Sequence, residues 1–223
     1  MRQVAVVAAL LAAVLVFPVE AQASTIARWH MNETSGTAMV DSAGSNPGTH
    51  KNVTLGVPGW SGTAYRFNGT NSYVSVPSSA ALNPGKAPIA FTIHVRYAVT
   101  PPRGKTTDYD VIRKGTASDS AQFYKLEIRP DNRAVCRFVG SKTTSTGLLI
   151  HAGPVLNDGK WHTVTCTKTD TQITLVVDGT AHAKSGTVGS ISNAGPLVLG
   201  AKNGRKFTDF YNGDLDEVSV SIG

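Results

Sequence analysis

The chain has 223 residues and carries 21 Lys and Arg against 15 Asp and Glu, which gives a net charge of +6. Its basic residues are scattered rather than clustered, so the composition argues against a nucleic-acid-binding protein. A mature chain of about 200 residues is long enough to bury the core of one all-β domain.

The N-terminal segment, MRQVAVVAALLAAVLVFPVEAQA, has the features of a secretory signal peptide. A basic residue precedes an apolar run, and the final Ala-Gln-Ala is a cleavage pattern. A membrane anchor is the alternative, but the run is short for a transmembrane helix, and no later run could span a bilayer. We therefore expect residues 1–23 to be removed and residues 24–223 to form a secreted, extracellular domain without a membrane span.

Period-two alternation of apolar and polar residues dominates the rest of the chain. Between residues 91 and 97, for example, Phe91, Ile93, Val95 and Tyr97 share one face of a strand. Further strands are predicted at 25–31, 64–67, 73–76, 110–113, 124–128, 134–139, 148–151, 161–168, 172–177, 197–200 and 215–221.

Pairs of Asn or Asp with Gly separate these strands and suit hairpins, because such residues tolerate a positive φ. They occur at Asn68-Gly69, Asp158-Gly159, Asp178-Gly179, Asn203-Gly204 and Asn212-Gly213. Beyond the N-terminal segment, no stretch keeps a helical apolar stripe for long. Many short strands with frequent turns predict an all-β, two-sheet antiparallel sandwich or jelly roll.

The chain has two cysteines, Cys136 and Cys166. An even number in an exported chain indicates a disulfide. A metal pair or a catalytic thiol is the alternative, but neither has the spacing that it needs. His162 and Cys166 would lie about 13 Å apart on one strand, too far for a catalytic thiol–imidazole pair.

Five segments, taken in order, carry a family resemblance: ARWHMNETSGTAMVDSAG (27–44), GWSGTAYRFNGTNSYVSVP (59–77), FTIHVRY (91–97), DGKWHTVTCTKTDTQITLVVDGT (158–180) and YNGDLDEVSVS (211–221). Together they resemble a laminin-G-like jelly roll of the concanavalin A-like lectin/glucanase superfamily. The resemblance implies two curved antiparallel sheets with paired N- and C-terminal strands, and we expect Trp29 and Trp161 in their core. It does not fix a function, because this architecture hosts lectins, protein-binding modules, glycoside hydrolases and polysaccharide lyases.

The acidic residues argue against an enzyme. Retaining glycosidases need two carboxylates about 5–5.5 Å apart, and the catalytic proteins that this fold resembles place them on one strand as E-x-D-x-E or a near variant. That motif is absent, as are the lyase pattern and G-x-S-x-G. We therefore predict no catalytic residues.

The remaining acids fit structural roles. Glu127 lies between Lys125 and Arg129 on one strand face, which predicts salt bridges. Asp214 and Asp216 could share a face, with Glu217 pointing the other way. No further glutamate completes a catalytic triad with the two aspartates.

The resemblance also implies a possible structural calcium ion, which members of the superfamily often hold where the termini meet. Glu33, Asp41 and Asp216 match positions near that place, and calcium takes oxygen ligands of this kind. The alternative is that the two aspartates cap turns and that Glu33 is exposed or salt-bridged. No other cofactor is expected.

Loops that combine aromatic and basic residues are the predicted ligand-binding regions. Two segments, 101–110 and 202–213, have this composition, and we predict ligand contacts at Tyr109, Arg205, Phe210 and Tyr211. The alternative is that these residues only pack at the rim of the sheets.

Together these patterns predict a secreted, non-catalytic module that binds a carbohydrate or an extracellular protein. The alternatives are a structural or adhesive surface protein and a divergent glycan-cleaving enzyme. The expected partner is therefore a glycan or an extracellular protein, not a nucleic acid.

Overall fold

The computed structural model of the protein describes residues 23–101, 108–116, 122–204 and 206–223. The predicted signal peptide thus lies outside the described residues, apart from Ala23. One short 3-10 helix, Ala80–Leu82, occurs in the described part, and no helix there is long and apolar enough to cross a membrane. The strands are β1 (Ser24–Trp29), β2 (Ala38–Met39), β3 (Gly48–Lys51), β4 (Thr54–Pro58), β5 (Thr63–Asn68), β6 (Tyr73–Val76), β7 (Ile89–Arg96), β8 (Tyr109–Lys114), β9 (Phe123–Ile128), β10 (Ala134–Val139), β11 (Leu148–Ala152), β12 (Trp161–Lys168), β13 (Gln172–Val177), β14 (Thr180–Ser185), β15 (Leu197–Leu199) and β16 (Asn212–Ile222).

The strands form two antiparallel sheets that pack face to face, which confirms the predicted fold class. The first sheet has the order β14-β13-β12-β7-β16-β5-β4, and β1 joins it by pairing with β16. The N- and C-terminal strands are therefore neighbours, as the resemblance implies. The second sheet has the order β11-β10-β9-β8-β15-β6-β3-β2.

The core follows from the alternation in the sequence. Apolar residues at every second position of β7 and β9 point between the sheets, where their side chains are almost fully buried. The rings of Phe91, Tyr124 and Phe138 meet there at centroid distances of 5.3 and 5.9 Å. Trp29 is also fully buried, and its indole N–H donates to the backbone oxygen of Asn46 at 2.8 Å.

The predicted disulfide is confirmed and joins the two sheets. Cys136 on β10 is bonded to Cys166 on β12, with their Cα atoms 5.6 Å apart. The two residues are 30 positions apart in the sequence. Closing a loop of this length stabilises the folded state by about 3.5 kcal/mol in the chain-entropy treatment.

Two local predictions are wrong. Asn212-Gly213 does not form a turn, because both residues lie in β16. A Cβ atom on residue 213 would lie 2.5 Å from the backbone oxygen of Arg96, so only glycine allows the two strands to approach this closely.

Trp161 is half-buried on the outer face of β12 rather than in the core, and the Arg96 guanidinium lies 4.6 Å from its ring centroid. Alternation alone could not decide which face the sheet buries.

Candidate functional site

The turn from Gly59 to Gly62 presents an exposed tryptophan on the outer face of the first sheet. The turn is closed by the Gly59 N–H, which donates to the Gly62 oxygen at 3.0 Å, and Gly62 has a φ of +71°. Trp60 at its tip is 52% exposed, whereas Trp29 is fully buried. Among the described tryptophan, tyrosine and phenylalanine residues, Trp60 is the one that is exposed.

His94 supports the indole from below. It projects outward from β7, and its ring stacks on that of Trp60 with centroids 4.6 Å apart and planes at 22°. Burial lowers the pKa of His94, so the ring is uncharged at neutral pH. The uncharged imidazole of His94 packs against one face of the indole and fixes its orientation, while much of the indole stays exposed.

A hollow of about 420 Å³ opens beside this indole, and we call it the Trp60 hollow. Its size falls in the range of small-ligand sites, roughly 300–1,000 Å³. Ring, guanidinium, hydroxyl and carboxylate groups line it, from residues Arg28, His30, Trp60, Ser61, Thr92, His94, Glu217 and Ser219. The hollow thus combines one flat apolar surface with several hydrogen-bonding groups.

A bulge in β16 brings Glu217 into this hollow. The register between β16 and β7 shifts between Asp216 and Ser219, and Glu217 has a φ of +47°. The extra residue turns Glu217 outward, although strict alternation predicted that it would point the other way. Its Oε1 accepts a hydrogen bond from His30 Nδ1 at 2.7 Å.

Asp216 connects the two segments that contribute Trp60 and Glu217 to the hollow. Its side chain is fully buried, Oδ2 accepts from the Ser61 N–H at 2.9 Å, and Oδ1 accepts from the Glu217 N–H at 2.8 Å. Burial raises the pKa of Asp216, although these backbone hydrogen bonds oppose the rise. One carboxylate therefore fixes both the Trp60 turn and the Glu217 bulge.

The three residues predicted to hold calcium make hydrogen bonds within the protein. Glu33 accepts from the Val40 N–H at 2.7 Å and the Tyr65 hydroxyl at 2.6 Å. Although burial opposes it, hydrogen bonds from four backbone N–H groups lower the pKa of Asp41. The structure does not bring Glu33, Asp41 and Asp216 together as a three-residue ligand group in its described part. A calcium ion at these residues stays a prediction.

The residues predicted to contact a ligand lie mostly in packed positions. Tyr109 is 3% exposed and Tyr211 fully buried, with their rings 5.5 Å apart in an edge-to-face contact. The Tyr109 hydroxyl donates to the Val99 oxygen at 3.0 Å. Phe210 is half-buried, and Arg205 lies outside the described residues. Their ligand contacts stay predictions, and neither tyrosine presents an open ring face.

A second charged group lies on the outer face of the second sheet, and we call it the Lys125 network. It contains Asp108, Asp110 and Glu127, each with an oxygen within 4.8 Å of the others, so these residues could hold a cation. Lys125 already lies among them: its Nζ is 3.0 Å from Asp110 Oδ1, 3.9 Å from Asp108 Oδ2 and in contact with Glu127 Oε2. The lysine ammonium thus supplies positive charge where a metal ion would.

Two arginines complete the Lys125 network. Arg129 Nε is 3.2 Å from Glu127 Oε1, so both predicted partners of Glu127 are confirmed, and Arg113 lies 3.8 Å from Asp110. Burial raises the pKa of Asp108 to about 8. Although burial opposes it, the charge of Lys125 lowers the pKa of Glu127 to about 2. Each acid of the network lies within 4 Å of the Lys125 ammonium.

Sequence reasoning identified some of this arrangement. It used the segments that contain Trp60 and His94 for the family resemblance, but it did not select either residue as a site residue. It missed His30 and Glu217, because their contact depends on the pairing of β1 with β16 and on the bulge. The sequence signal available was the resemblance of the closing strand, which contains Asp216 and Glu217.

Several solved structures share the fold. The binding domain of Paraclostridial Mosquitocidal Protein 1 matches with a TM-score of 0.65 and 17% identity, over 88% of this chain and 48% of that one. This chain therefore spans about half of that domain. Domain 4 of AbnA, an extracellular GH43 arabinanase of Geobacillus stearothermophilus solved with arabinotriose, matches with a TM-score of 0.64 and 16% identity, over 91% and 94% of the two chains.

Domains LG4-5 of the mouse laminin α1 chain match with a TM-score of 0.54 and 17% identity, over 70% of this chain and 40% of that one. A search of curated proteins finds no significant match. The sequence profile Laminin_G_3, described as the concanavalin A-like lectin/glucanases superfamily, matches residues 68–221. Since this match covers more than half of the chain and agrees with the observed fold, the chain belongs to the Laminin_G_3 family of the concanavalin A-like lectin/glucanases superfamily.

Proposed function

We propose that this protein is a secreted, non-catalytic module that binds carbohydrate in the Trp60 hollow. The proposal rests chiefly on the exposure of Trp60. Burying an indole is favourable, so a tryptophan held at 52% exposure on a closed turn is a candidate contact for a ligand. His94 and Asp216 both hold this ring in place, which reduces the entropy lost on binding.

The chemistry of the hollow suits a sugar. The C–H groups on one face of a sugar ring carry partial positive charge and pack against the negative face of an indole. Around Trp60, the hydroxyls of Ser61 and Ser219 can both donate and accept, and Glu217 can accept. The Thr92 hydroxyl shares one hydrogen bond with that of Thr165 at 2.8 Å and retains capacity for another. A polyhydroxylated ligand can pair with such groups without leaving them unsatisfied.

The acids beside the hollow favour binding over catalysis. Glu217 is paired with His30, and the neighbouring Asp216 is buried with both oxygens occupied by backbone N–H groups. A glycosidase needs two carboxylates that both reach the glycosidic bond. Asp216 does not line the hollow, so the second carboxylate has no access to a ligand.

The comparisons favour the same class of function. The similar domain of AbnA was solved with arabinotriose, and the similar domain of Paraclostridial Mosquitocidal Protein 1 is a binding domain. The predicted signal peptide and the disulfide between the sheets both fit an exported protein.

A glycan array followed by titration with the ligands that bind tests the proposal. We expect Trp60→Ala to weaken binding about tenfold or more, because it removes the stacking surface, and Trp60→Phe to restore part of the affinity. Val155→Ala is the control, since Val155 is 47% exposed and lies outside the hollow. Equal affinity of the Trp60→Ala variant and the parent protein would refute the site. Turnover of a bound glycan would refute the non-catalytic assignment.

A further inference from the structure

A second hollow adjoins the first, and we call it the Val40 hollow. Its volume is about 330 Å³, and it is lined by His30, Asn32, Glu33, Val40 and Ser42. His30 also lines the Trp60 hollow, so the two hollows lie side by side with the imidazole between them.

The Val40 hollow offers an apolar contact and an amide donor but no unpaired acid. Val40 is 59% exposed. Asn32 Oδ1 accepts from the Thr63 N–H at 2.8 Å, while its amide nitrogen meets no acceptor among the described residues. Both oxygens of Glu33 are engaged, by the Val40 N–H and the Tyr65 hydroxyl. This combination suits an uncharged, hydroxylated group.

The backbone between the two hollows is firmly held. Met31 has a φ of +56°, in the left-handed region that non-glycine residues rarely adopt, and its side chain is fully buried in the core. Its neighbours His30 and Asn32 both contribute to the lining, His30 to both hollows and Asn32 to the Val40 hollow. The anchored methionine therefore sets the distance between the two binding surfaces.

We propose that the two hollows bind successive units of one uncharged glycan chain, with Trp60 stacked on one unit, Val40 packed against the next and His30 between them. The inference rests on the proposed function and goes further, because it assigns the ligand class as an oligosaccharide of at least two units. A site for a single terminal sugar would need only the Trp60 hollow.

Chain-length dependence of affinity tests this inference. Calorimetric titrations would use arabinose, arabinobiose, arabinotriose and arabinotetraose, with the matching cello-oligosaccharide series. We expect affinity to rise about tenfold between one and three units and then to level off. Val40→Ser should remove most of that rise while leaving the affinity for the monosaccharide unchanged, and Val155→Ser, at a similarly exposed valine, should change neither.

The outcomes separate the two proposals. Binding that depends on Trp60 but not on chain length, or that is unaffected by Val40→Ser, would overturn the second hollow and leave the first. Absence of binding to every member of both series and to the glycan array would contradict the proposed function and this inference together.

Discussion

The Lys125 network and the Trp60 hollow lie on the outer faces of opposite sheets and contain similar kinds of residue. In the Lys125 network, the central residues are buried and form ion pairs with one another; the side chain of Lys125 is 5% exposed, that of Asp110 is fully buried and that of Glu127 is 3% exposed. In the Trp60 hollow, the indole is exposed and the surrounding hydroxyls line open space. The denser cluster of charge is thus the one that is less able to meet a ligand.

This difference shows that ligand binding depends more on whether polar groups are free to form new contacts than on how many polar groups are present. A buried ion pair has already exchanged its water for a protein partner, so it has little left to offer a ligand. The indole of Trp60 has lost rotational freedom because it stacks on His94, but it is still 52% exposed and can contact a ligand. We therefore expect substitutions in the Lys125 network to change stability, and substitutions in the Trp60 hollow to change binding.

The largest expected effect is that of Lys125→Ala. Removing the lysine leaves Asp110 and Glu127 buried without their central cation, which should lower the free energy of unfolding by about 3–5 kcal/mol. Urea denaturation would measure the loss. Lys160→Ala is the control, because the side chain of Lys160 is 81% exposed and should contribute less than about 0.5 kcal/mol. A similar loss in both variants would contradict the contrast between buried and exposed charge.

An intermediate effect is expected for Asp216→Asn. In asparagine an NH2 group replaces one of the two carboxylate oxygens and cannot accept a hydrogen bond. The backbone N–H of either Ser61 or Glu217 therefore loses its partner, at a cost of about 1–3 kcal/mol. The variant should also change the quenching of Trp60 fluorescence by acrylamide without any ligand, because the turn is no longer fixed.

Asp41→Asn is the matched control for Asp216→Asn. Asp41 also accepts from backbone N–H groups, but none of them belongs to the Trp60 turn. Unchanged quenching in the Asp216→Asn variant would show that Asp216 stabilises the fold without positioning the indole.

The smallest effect is expected from pH, at Asp108. Burial raises the pKa of this carboxyl to about 8 in the folded protein, from an ordinary value of 3.8 that the unfolded chain restores. Between these two pKa values, the folded state retains a proton that the unfolded state loses, so stability should fall as pH rises through this window. The fall should be modest, because the Asp108 side chain is 23% exposed and solvent screens its charge.

Asp108→Asn should remove that part of the pH dependence, since an amide does not ionise. Urea denaturation at about pH 5, 6.5 and 8 would compare the variant with the parent protein and with Asp170→Asn, a control in an exposed turn. If the parent and the Asp108→Asn variant respond to pH identically, Asp108 is ionised in the folded state at neutral pH.

The sequence determined the scaffold of this protein. Alternation located the central strands, including the whole of β12 and β13, and Asp178-Gly179 forms the expected turn with φ values of +48° and +81°. The strands β2, β3, β4 and β14 were not predicted. Strands β2, β4 and β14 lie at sheet edges, and β3 pairs with the edge strand β2. Their sequences show little alternation of large apolar residues with polar ones, so the period-two pattern does not mark them. The sequence also predicted the disulfide, from the even number of cysteines, and the salt bridges of Glu127, from its position two residues from both Lys125 and Arg129 on one strand.

Only the tertiary structure decided where a ligand could bind. Tyr109 and Tyr211 looked like loop aromatics, yet the packing of strand ends buries both rings, whereas Trp60 stays exposed. His30 and Glu217 come from opposite ends of the described chain and meet because β1 pairs with β16 and a bulge reverses one side chain. Burial and long-range contact depend on how whole sheets stack, and short sequence patterns do not contain that information.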